Sequence, residues 1–402
     1  MTTPSQPSQQ QRRRRPFVLP DQAMSLDPFV WYQEMRESRP VYYDQENELW
    51  NVFRYDDTQR ILMDPTTFSS EVAQRTMTEE EKKQMTGEPS ILGLDPPRHR
   101  QLRSLVTQAF TPRTVARLET RVTTIVDEYL NKVAPTGRMD IIADMAYPLP
   151  VTVIAELLGV PTTDQAQFKH WSDTIVSTRR EEAMQVIKEM GQYFKRITDQ
   201  RRADPKEDLI SDLIAAQVDG QHLTESELIS FYILLLVAGN ETTTNLLGNA
   251  LWCFDEHPET MEELRANPAL LPSAIEEVLR YRSPVQRVIR IASTDTTLRG
   301  QEIKAGQLVS PWLGAANRDP EQFPDAENFM IGRTPNRHVA FGHGIHFCVG
   351  APLSRLEAKV ALSMLLERFK DIKRDRSIPL QRIPAASAFY GVQALPVTFT
   401  HV

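Results

Sequence analysis

Phe341-Gly342-His343-Gly344-Ile345-His346-Phe347-Cys348-Val349-Gly350 places one cysteine among three glycines, directly ahead of Ala351-Pro352. Glycine lets the backbone turn through positive φ or approach a flat ligand closely. Pro352 suits the first turn of a helix, where its missing N–H is no loss. A thiolate just before a helix start is stabilised by the helix's positive end and its free N–H groups. The segment therefore presents one anionic sulfur, hydrogen-bonded from behind. Three readings fit such a sulfur: a turn with a buried cysteine, a zinc site from His343, His346 and Cys348, or a single axial thiolate on haem iron. Zinc lacks a nearby fourth ligand, because the second cysteine, Cys253, falls inside a helical pattern.

Around this segment the composition is that of a globular protein. The chain has 402 residues, 41 % hydrophobic and 25 % charged, which allows a sizeable core. Length alone allows one large domain or a few smaller ones. Lys plus Arg number 46 and Asp plus Glu 53, a formal charge of −7. A wide face for duplex nucleic acid requires a basic chain, so no nucleic-acid partner is expected. Two cysteines exclude a disulfide scaffold and a four-thiolate zinc site. No uninterrupted apolar run reaches about eighteen residues, so no membrane anchor is expected. Residues 1–15 are rich in Ser, Thr, Pro and Gln and end in four arginines. They lack the apolar segment of a secretory signal and read as a disordered tail, which makes the cytoplasm the expected location. Composition then stays even, with no Gly/Ser linker, so residues 16–402 are expected to form a single domain.

Trp50-Asn51-Val52-Phe53-Arg54-Tyr55 has the aromatic and β-branched make-up of a strand. Helical patterns then dominate to about residue 283. Thr224 and Glu227 form a capping box, with Leu223 and Leu228 placed for a hydrophobic staple. The helix they open is apolar on nearly every side over 228–254. Its middle, Ala238-Gly239-Asn240-Glu241-Thr242-Thr243-Thr244, sets an amide, a carboxyl and three hydroxyls in a buried helix, which is locally costly. A helix end at Gly239 would leave these groups wet, but Leu246, Leu247 and Trp252 continue the apolar pattern. A second capping box, Ser273 with Glu276, opens a shorter helix that stops before Ser283-Pro284. Residues 288–291 and 308–310 read as short strands, and 317–340 as an irregular loop of a length that is usually functional. A last helix is expected over 352–370, then strand and turn over 388–400. The fold class is mainly α with a small β-sheet subdomain.

The pattern Phe-Gly-x-Gly-x-His-x-Cys-x-Gly in 341–350 resembles the haem-binding loop of bacterial cytochromes P-450, with every fixed position filled. That resemblance implies Cys348 as the axial ligand of the iron of haem b, where a thiolate favours O–O cleavage. It also implies His346 beside a haem propionate, and Phe341, Gly342, Gly350 and Ala238 against the haem. The polar island resembles the family's oxygen-activation motif, with Glu241 on its acid and Thr242 on its alcohol. Asn240 stands where many bacterial relatives carry His. The physical need is for two protons to reach dioxygen without flooding the pocket: a hydroxyl donates, and an acid behind it relays. Partial burial would raise that acid's pKa and suit it to the task.

Glu277 and Arg280 match the family's Glu-x-x-Arg helix, and Arg333 in the long loop would complete the network. Glu262 and Arg265 share the spacing, but only the 277 pair precedes Pro284, the strand run and that loop. Asp95-Pro96-Pro97-Arg98-His99-Arg100-Gln101-Leu102-Arg103 resembles the family's haem-contacting helix start. His99 and Arg103 lie one turn apart on one face. With Arg290 they would meet the propionates, which need cations or donors.

The resemblance runs from about residue 21 to the end and implies a cytochrome P-450 fold. It further implies a monooxygenase that uses O2 to hydroxylate or epoxidise a hydrophobic small molecule such as a fatty acid, terpenoid, steroid or polyketide. Substrate would lie against Ile91, Leu92, Ala238, Val285, Val288 and Phe389. About 400 residues suffice only for the haem domain, without a flavin-binding extension. Electrons are therefore expected from a ferredoxin or flavodoxin and an NAD(P)H-dependent reductase. Between residues 96 and 118 there are five arginines and no carboxylate. Arg100 and Arg113, extended by Arg355 and Lys359, are the expected docking face for an acidic partner. A peroxide-using or isomerising haem-thiolate enzyme, or a haem sensor, would share Cys348 without needing the Glu241–Thr242 pair.

Overall fold

The computed structural model describes residues 21, 25–78, 89–109, 111–164, 166–168, 170, 171, 174, 180–217, 220–383 and 388–402. The expected tail, 1–15, lies outside the described residues. The main helices are α1 (Phe29–Ser38), α2 (Tyr55–Met63), α3 (Arg98–Ala109), α4 (Glu119–Val133), α5 (Pro148–Leu157) and α6 (Arg180–Ala203). They continue with α7 (Leu209–Ala215), α8 (Glu225–Glu256), α9 (Pro258–Ala266), α10 (Leu271–Tyr281) and α11 (Ala351–Arg368). The strands are β1 (Val41–Asp44), β2 (Leu49–Val52), β3 (Phe68–Ser69), β4 (Arg138–Asp140) and β5 (Arg290–Ala292). After them come β6 (Thr296–Leu298), β7 (Gln301–Ile303), β8 (Leu308–Pro311), β9 (Phe369–Arg374) and β10 (Pro396–His401). One sheet runs β1-β2-β8-β5-β3, with β2 and β8 parallel and the other pairs antiparallel. A second sheet, β4-β10-β9, and the β6–β7 hairpin complete the sheets of the described residues.

The all-round apolar pattern of α8 puts it at the centre, with α5, α6, α10 and α11 packed on it. Its 32 residues reach about 48 Å, unbroken through Gly239. The capping box forms as expected. The Glu227 N–H donates to Thr224 Oγ1 at 3.2 Å, and the Thr224 N–H donates to Glu227 Oε2 at 2.9 Å. The other oxygen of Glu227 accepts from Arg98 Nε at 2.8 Å, which ties the start of α3 to the start of α8. Several polar groups inside α8 find partners, although Asn249 Oδ1 has none among the described residues. Thr244 Oγ1 donates to Ala146 O at 3.1 Å, and Asn249 Nδ2 donates to Arg282 O and Tyr390 O at 3.0 Å each. Satisfied in this way, they no longer carry the full cost of burial.

The loop 317–340 has no regular structure beyond turns, as expected, and is held from α10. Glu277 accepts from Arg280 Nε and Nη2 at 2.8 Å each, from Arg333 Nε at 3.1 Å, from Asn336 Nδ2 at 3.1 Å and from the Met330 N–H at 2.9 Å. Arg280 also donates to Asn317 O at 2.9 Å and Ala326 O at 2.8 Å. Glu277 and Arg280 are both 0 % exposed. The buried pair thus crosslinks the loop through backbone carbonyls that no helix or strand satisfies.

Several boundaries differ from the sequence reading; the strand expected over 288–291, for one, runs Arg290–Ala292. The strand that begins at Leu49 ends at Val52, because the Tyr55 N–H donates to Asp319 Oδ2 at 2.9 Å and Tyr55 opens α2 instead. α10 starts at Leu271, directly from a short 3-10 turn (Pro268–Leu270), so Ser273 already lies in its first turn. Ser273 Oγ donates to Leu270 O, and Glu276 is drawn to Arg355 and His338, so no second capping box forms. α11 ends at Arg368, since Phe369 and Lys370 pair with His401 and Thr400 in β9–β10.

Candidate active site

The cysteine loop turns through Gly342 and Gly344, whose φ values are +73° and +66°. A Cβ at Gly344 would lie 2.7 Å from Leu62 O, so conformation and space both require glycine there. The Cys348 N–H donates to Phe341 O at 2.9 Å and closes the loop. Burial pushes the thiol above its ordinary pKa. The N–H of Gly350, the guanidinium of Arg103 and the N–H of Ala351 act the other way and favour the thiolate. The two histidines of the loop turn elsewhere: His343 Nδ1 accepts from the Gly344 N–H at 2.8 Å, and His346 Nε2 lies 2.9 Å from Ser70 Oγ. Among the described residues no three His, Cys, Asp or Glu side chains are grouped to hold a metal ion by themselves, which removes the zinc reading.

Cys348 forms part of the wall of a cavity of about 340 Å³. Part of its wall gathers nitrogen groups, two arginines and two histidines. His99 and Arg103 come from one face of α3, Arg290 from β5 and His346 from the loop. The His99 and His346 rings are 4.2 Å apart. Burial, Arg290, His99 and Arg103 together push His346 down to about 3. Burial brings Arg290 down to about 10, and burial also lowers Arg103 and His99. The carboxylate that moderates Arg290 and His99 is Asp95. Donors crowded against one another in this way are stabilised by an anion placed among them.

The middle of α8 lines the same cavity. Ala238 and Thr242 line the cavity, and Thr242 Oγ1 donates back to Ala238 O at 2.7 Å. Glu241 is displaced by about 100° around the helix axis and lies outside the lining. It is buried, accepts from Asn245 Nδ2 at 3.2 Å, and is pushed above the usual carboxylate range by burial. Ile91, Leu92, Val285 and Val288 line the cavity, as do Phe341, Gly342 and Gly350. Phe389 does not. It pairs with Val285 in an isolated antiparallel bridge, and Val285 is the member of that pair that faces the cavity.

The sequence reading missed several lining residues. Phe231, Leu234 and Leu235 stand on the Ala238–Thr242 face of α8, and Ile154 and Leu157 face them from α5. Glu357 on α11 is buried with no hydrogen-bond partner for Oε2 among the described residues, and burial pushes it up to about 8. Beside it Ser354 Oγ accepts from Thr243 Oγ1 at 3.2 Å.

The basic face is smaller than expected. Arg355 donates from Nε and Nη2 to Glu276 at 2.7 and 2.8 Å and stacks 4.5 Å over the Phe341 ring. It therefore braces the cysteine loop. Lys359 pairs with Glu119 at 3.1 Å. Arg100 and Arg113 are exposed.

Residues 151–385 match the family model described as cytochrome P450. Cytochrome P450 109 of Bacillus spizizenii is 43 % identical over 387 residues, covering 93 % of this chain and 92 % of that protein. The chain belongs to the cytochrome P450 family. Another P450 relative, cyclomarin C epoxidase CymV of Salinispora arenicola, is 40 % identical over 380 residues, 92 % of this chain and 95 % of that protein. The crystal structure of substrate-free CYP109E1 of Bacillus megaterium superposes with a TM-score of 0.89 at 43 % identity, covering 94 % of this chain and all of that one. The testosterone complex of the same enzyme gives 0.85 at 44 % identity, over 92 % and 99 % of the two chains. The fold is that of a P450, the cofactor is haem b, and the activity is that of a haem-thiolate monooxygenase. The residues present fit the cofactor: one thiol, backed by N–H groups, and a cluster of arginine and histidine side chains suited to an anion share one cavity.

Proposed function

We propose that Cys348 is the axial thiolate of haem b, and that His99, Arg103, Arg290 and His346 receive its two propionates. The observation that carries this reading is the convergence of that thiol, those four donors and Thr242 on one cavity. Once bound, haem supplies the electron-transfer and oxygen-activating chemistry. The chain supplies the rest. The N–H groups of Gly350 and Ala351 hold negative charge on sulfur, while Phe341 and Arg355 brace the loop that carries it. Glu277, Arg280 and Arg333 fix the preceding loop. Thr242 Oγ1 delivers protons at the cavity wall, and Glu241, inclined by burial to keep a proton, replenishes the hydroxyl from behind. Leu, Ile, Val and Phe side chains exclude bulk water from the rest of the wall.

The substrate class is a hydrophobic small molecule that is hydroxylated or epoxidised, accommodated against Ile91, Leu92, Ala238, Val285 and Val288. The testosterone complex of CYP109E1 and the epoxidase name of CymV support that class. Electrons come from a separate ferredoxin or flavodoxin and its reductase, docking on the face that carries Arg100 and Arg113, and the enzyme works in the cytoplasm. Cys348→Ser tests the ligand: the reduced carbon monoxide complex should lose its red-shifted Soret band, and an unchanged band would assign the iron another ligand. Thr242→Ala tests proton delivery: NAD(P)H consumption should continue while product gives way to peroxide. Full coupling in that variant would remove Thr242 from the relay.

A further inference from the structure

Asn245 lies one turn beyond Glu241 on α8 and is 1 % exposed. Its Nδ2 donates to Glu241 Oε1 at 3.2 Å. Burial pushes Glu241 toward its neutral form, and the Asn245 amide acts against that. Among the described residues no charged or titratable side chain bears on the carboxyl from the elements packed on α8, whether α5, α6, α9, α10, α11 or the turn 142–146 that carries Asp144. The other end of the amide is confined as well. A Cβ built on Gly391 would stand 2.0 Å from Asn245 Oδ1 and 2.7 Å from its Cγ. Gly391 belongs to an anchored segment: its carbonyl accepts from the Ile383 N–H at 3.1 Å, and the neighbouring Tyr390 N–H donates to Pro284 O at 2.8 Å. Asn249 Nδ2 holds Tyr390 O at 3.0 Å from the next turn of α8. The amide is thus pinned between a fixed backbone and the acid.

We infer that Asn245 is a positioning residue for the proton-delivering acid, and that Gly391 is glycine because only a residue without a side chain leaves the amide room to reach Glu241. The inference rests on the assignment of Glu241 as the relay acid. A relay acid must lose and regain its proton in every cycle. Burial alone would lock Glu241 neutral, and a buried arginine or lysine partner would lock it ionised. An uncharged donor lowers the cost of the ionised form without trapping it. It also fixes which way the carboxyl points.

The test is an infrared titration of the holoenzyme, following the protonated-carboxyl band that Glu241→Gln removes. Asn245→Ala should move the midpoint of that band up by about one pH unit, the worth of one hydrogen bond to a charged group. Gly391→Ala should move it in the same direction, although residue 391 does not touch the acid. In the double variant Gly391→Ala should add nothing to Asn245→Ala, because the group it displaces is gone. If Asn245→Ala fails to take up haem, Asn245→Ser and Gly391→Ala carry the same comparison. An unshifted midpoint, or additive shifts in the double variant, would overturn the inference. Product per NAD(P)H in Glu241→Gln, with a surrogate ferredoxin pair and testosterone or peroxide leakage as the readout, reports separately on the relay. Shifted midpoints with coupling intact in Glu241→Gln would keep the clamp and dismiss the relay.

Discussion

Glu357 keeps its proton at neutral pH because it is buried on the cavity wall without a cation beside it. An unfolded glutamate ionises near 4.5, whereas the folded one holds its proton to about 8. Stability should therefore fall as pH rises between those two values, by roughly 3–5 kcal/mol in total. Glu357→Gln should abolish that decline, so its thermal midpoint should match the parent's at pH 4.5 and exceed it at pH 8. Equal midpoints at both ends would mean that the acid is paired when haem is bound. Glu357 was not legible in the sequence, since α11 has no clear apolar stripe and nothing around this glutamate announces that it is buried. Cys348 was legible, because the three glycines and the helix start after it act locally. Asn245 fell between these cases: its spacing from Glu241 is visible, but Gly391, which pins it, lies 146 residues further along the chain.

At the scale of elements, α8 announced itself through its capping box and unbroken apolar surface. The face that lines the cavity, Phe231, Leu234, Leu235, Ala238 and Thr242, follows helical spacing. It could have been projected from Thr242 along the sequence, and was not. The end of β2 was set from outside, by Asp319 at Tyr55, and propensity has no access to such a long-range cap. The start of α10 was set locally, by the 3-10 turn directly ahead of Leu271. Glu277→Ala should be severe, because it leaves Arg280 buried and uncompensated and frees the Met330 and Asn336 groups. The expected loss is about 3–5 kcal/mol in denaturant unfolding of the holoprotein, with haem released at lower denaturant. Arg333→Ala leaves the Glu277–Arg280 pair intact and should cost about 1–3 kcal/mol. Equal losses in the two variants would place the strength of the network in Arg333 instead.

At the scale of the molecule, a −7 chain exposes Arg100 on α3, the helix proposed to meet the propionates, and Arg113 shortly after it. Arg100→Glu with Arg113→Glu should slow ferredoxin-supported turnover about tenfold at low ionic strength, with the deficit shrinking as salt is added. Peroxide-driven turnover should stay unchanged, and a parallel loss there would indicate damage to the haem site. No helix among the described residues is long and apolar enough to cross a membrane. Topology was the least legible level: the sheet order β1-β2-β8-β5-β3 joins strands over two hundred residues apart, and no local pattern specifies those pairings. Glu227 shows what that long-range wiring entails. With one oxygen it caps α8, which carries Thr242, and with the other it holds Arg98, the neighbour of His99. Under the proposed assignment, one carboxylate braces the helix of the proton donor and the helix of the propionate ligands together, and a change there would be felt on both sides at once.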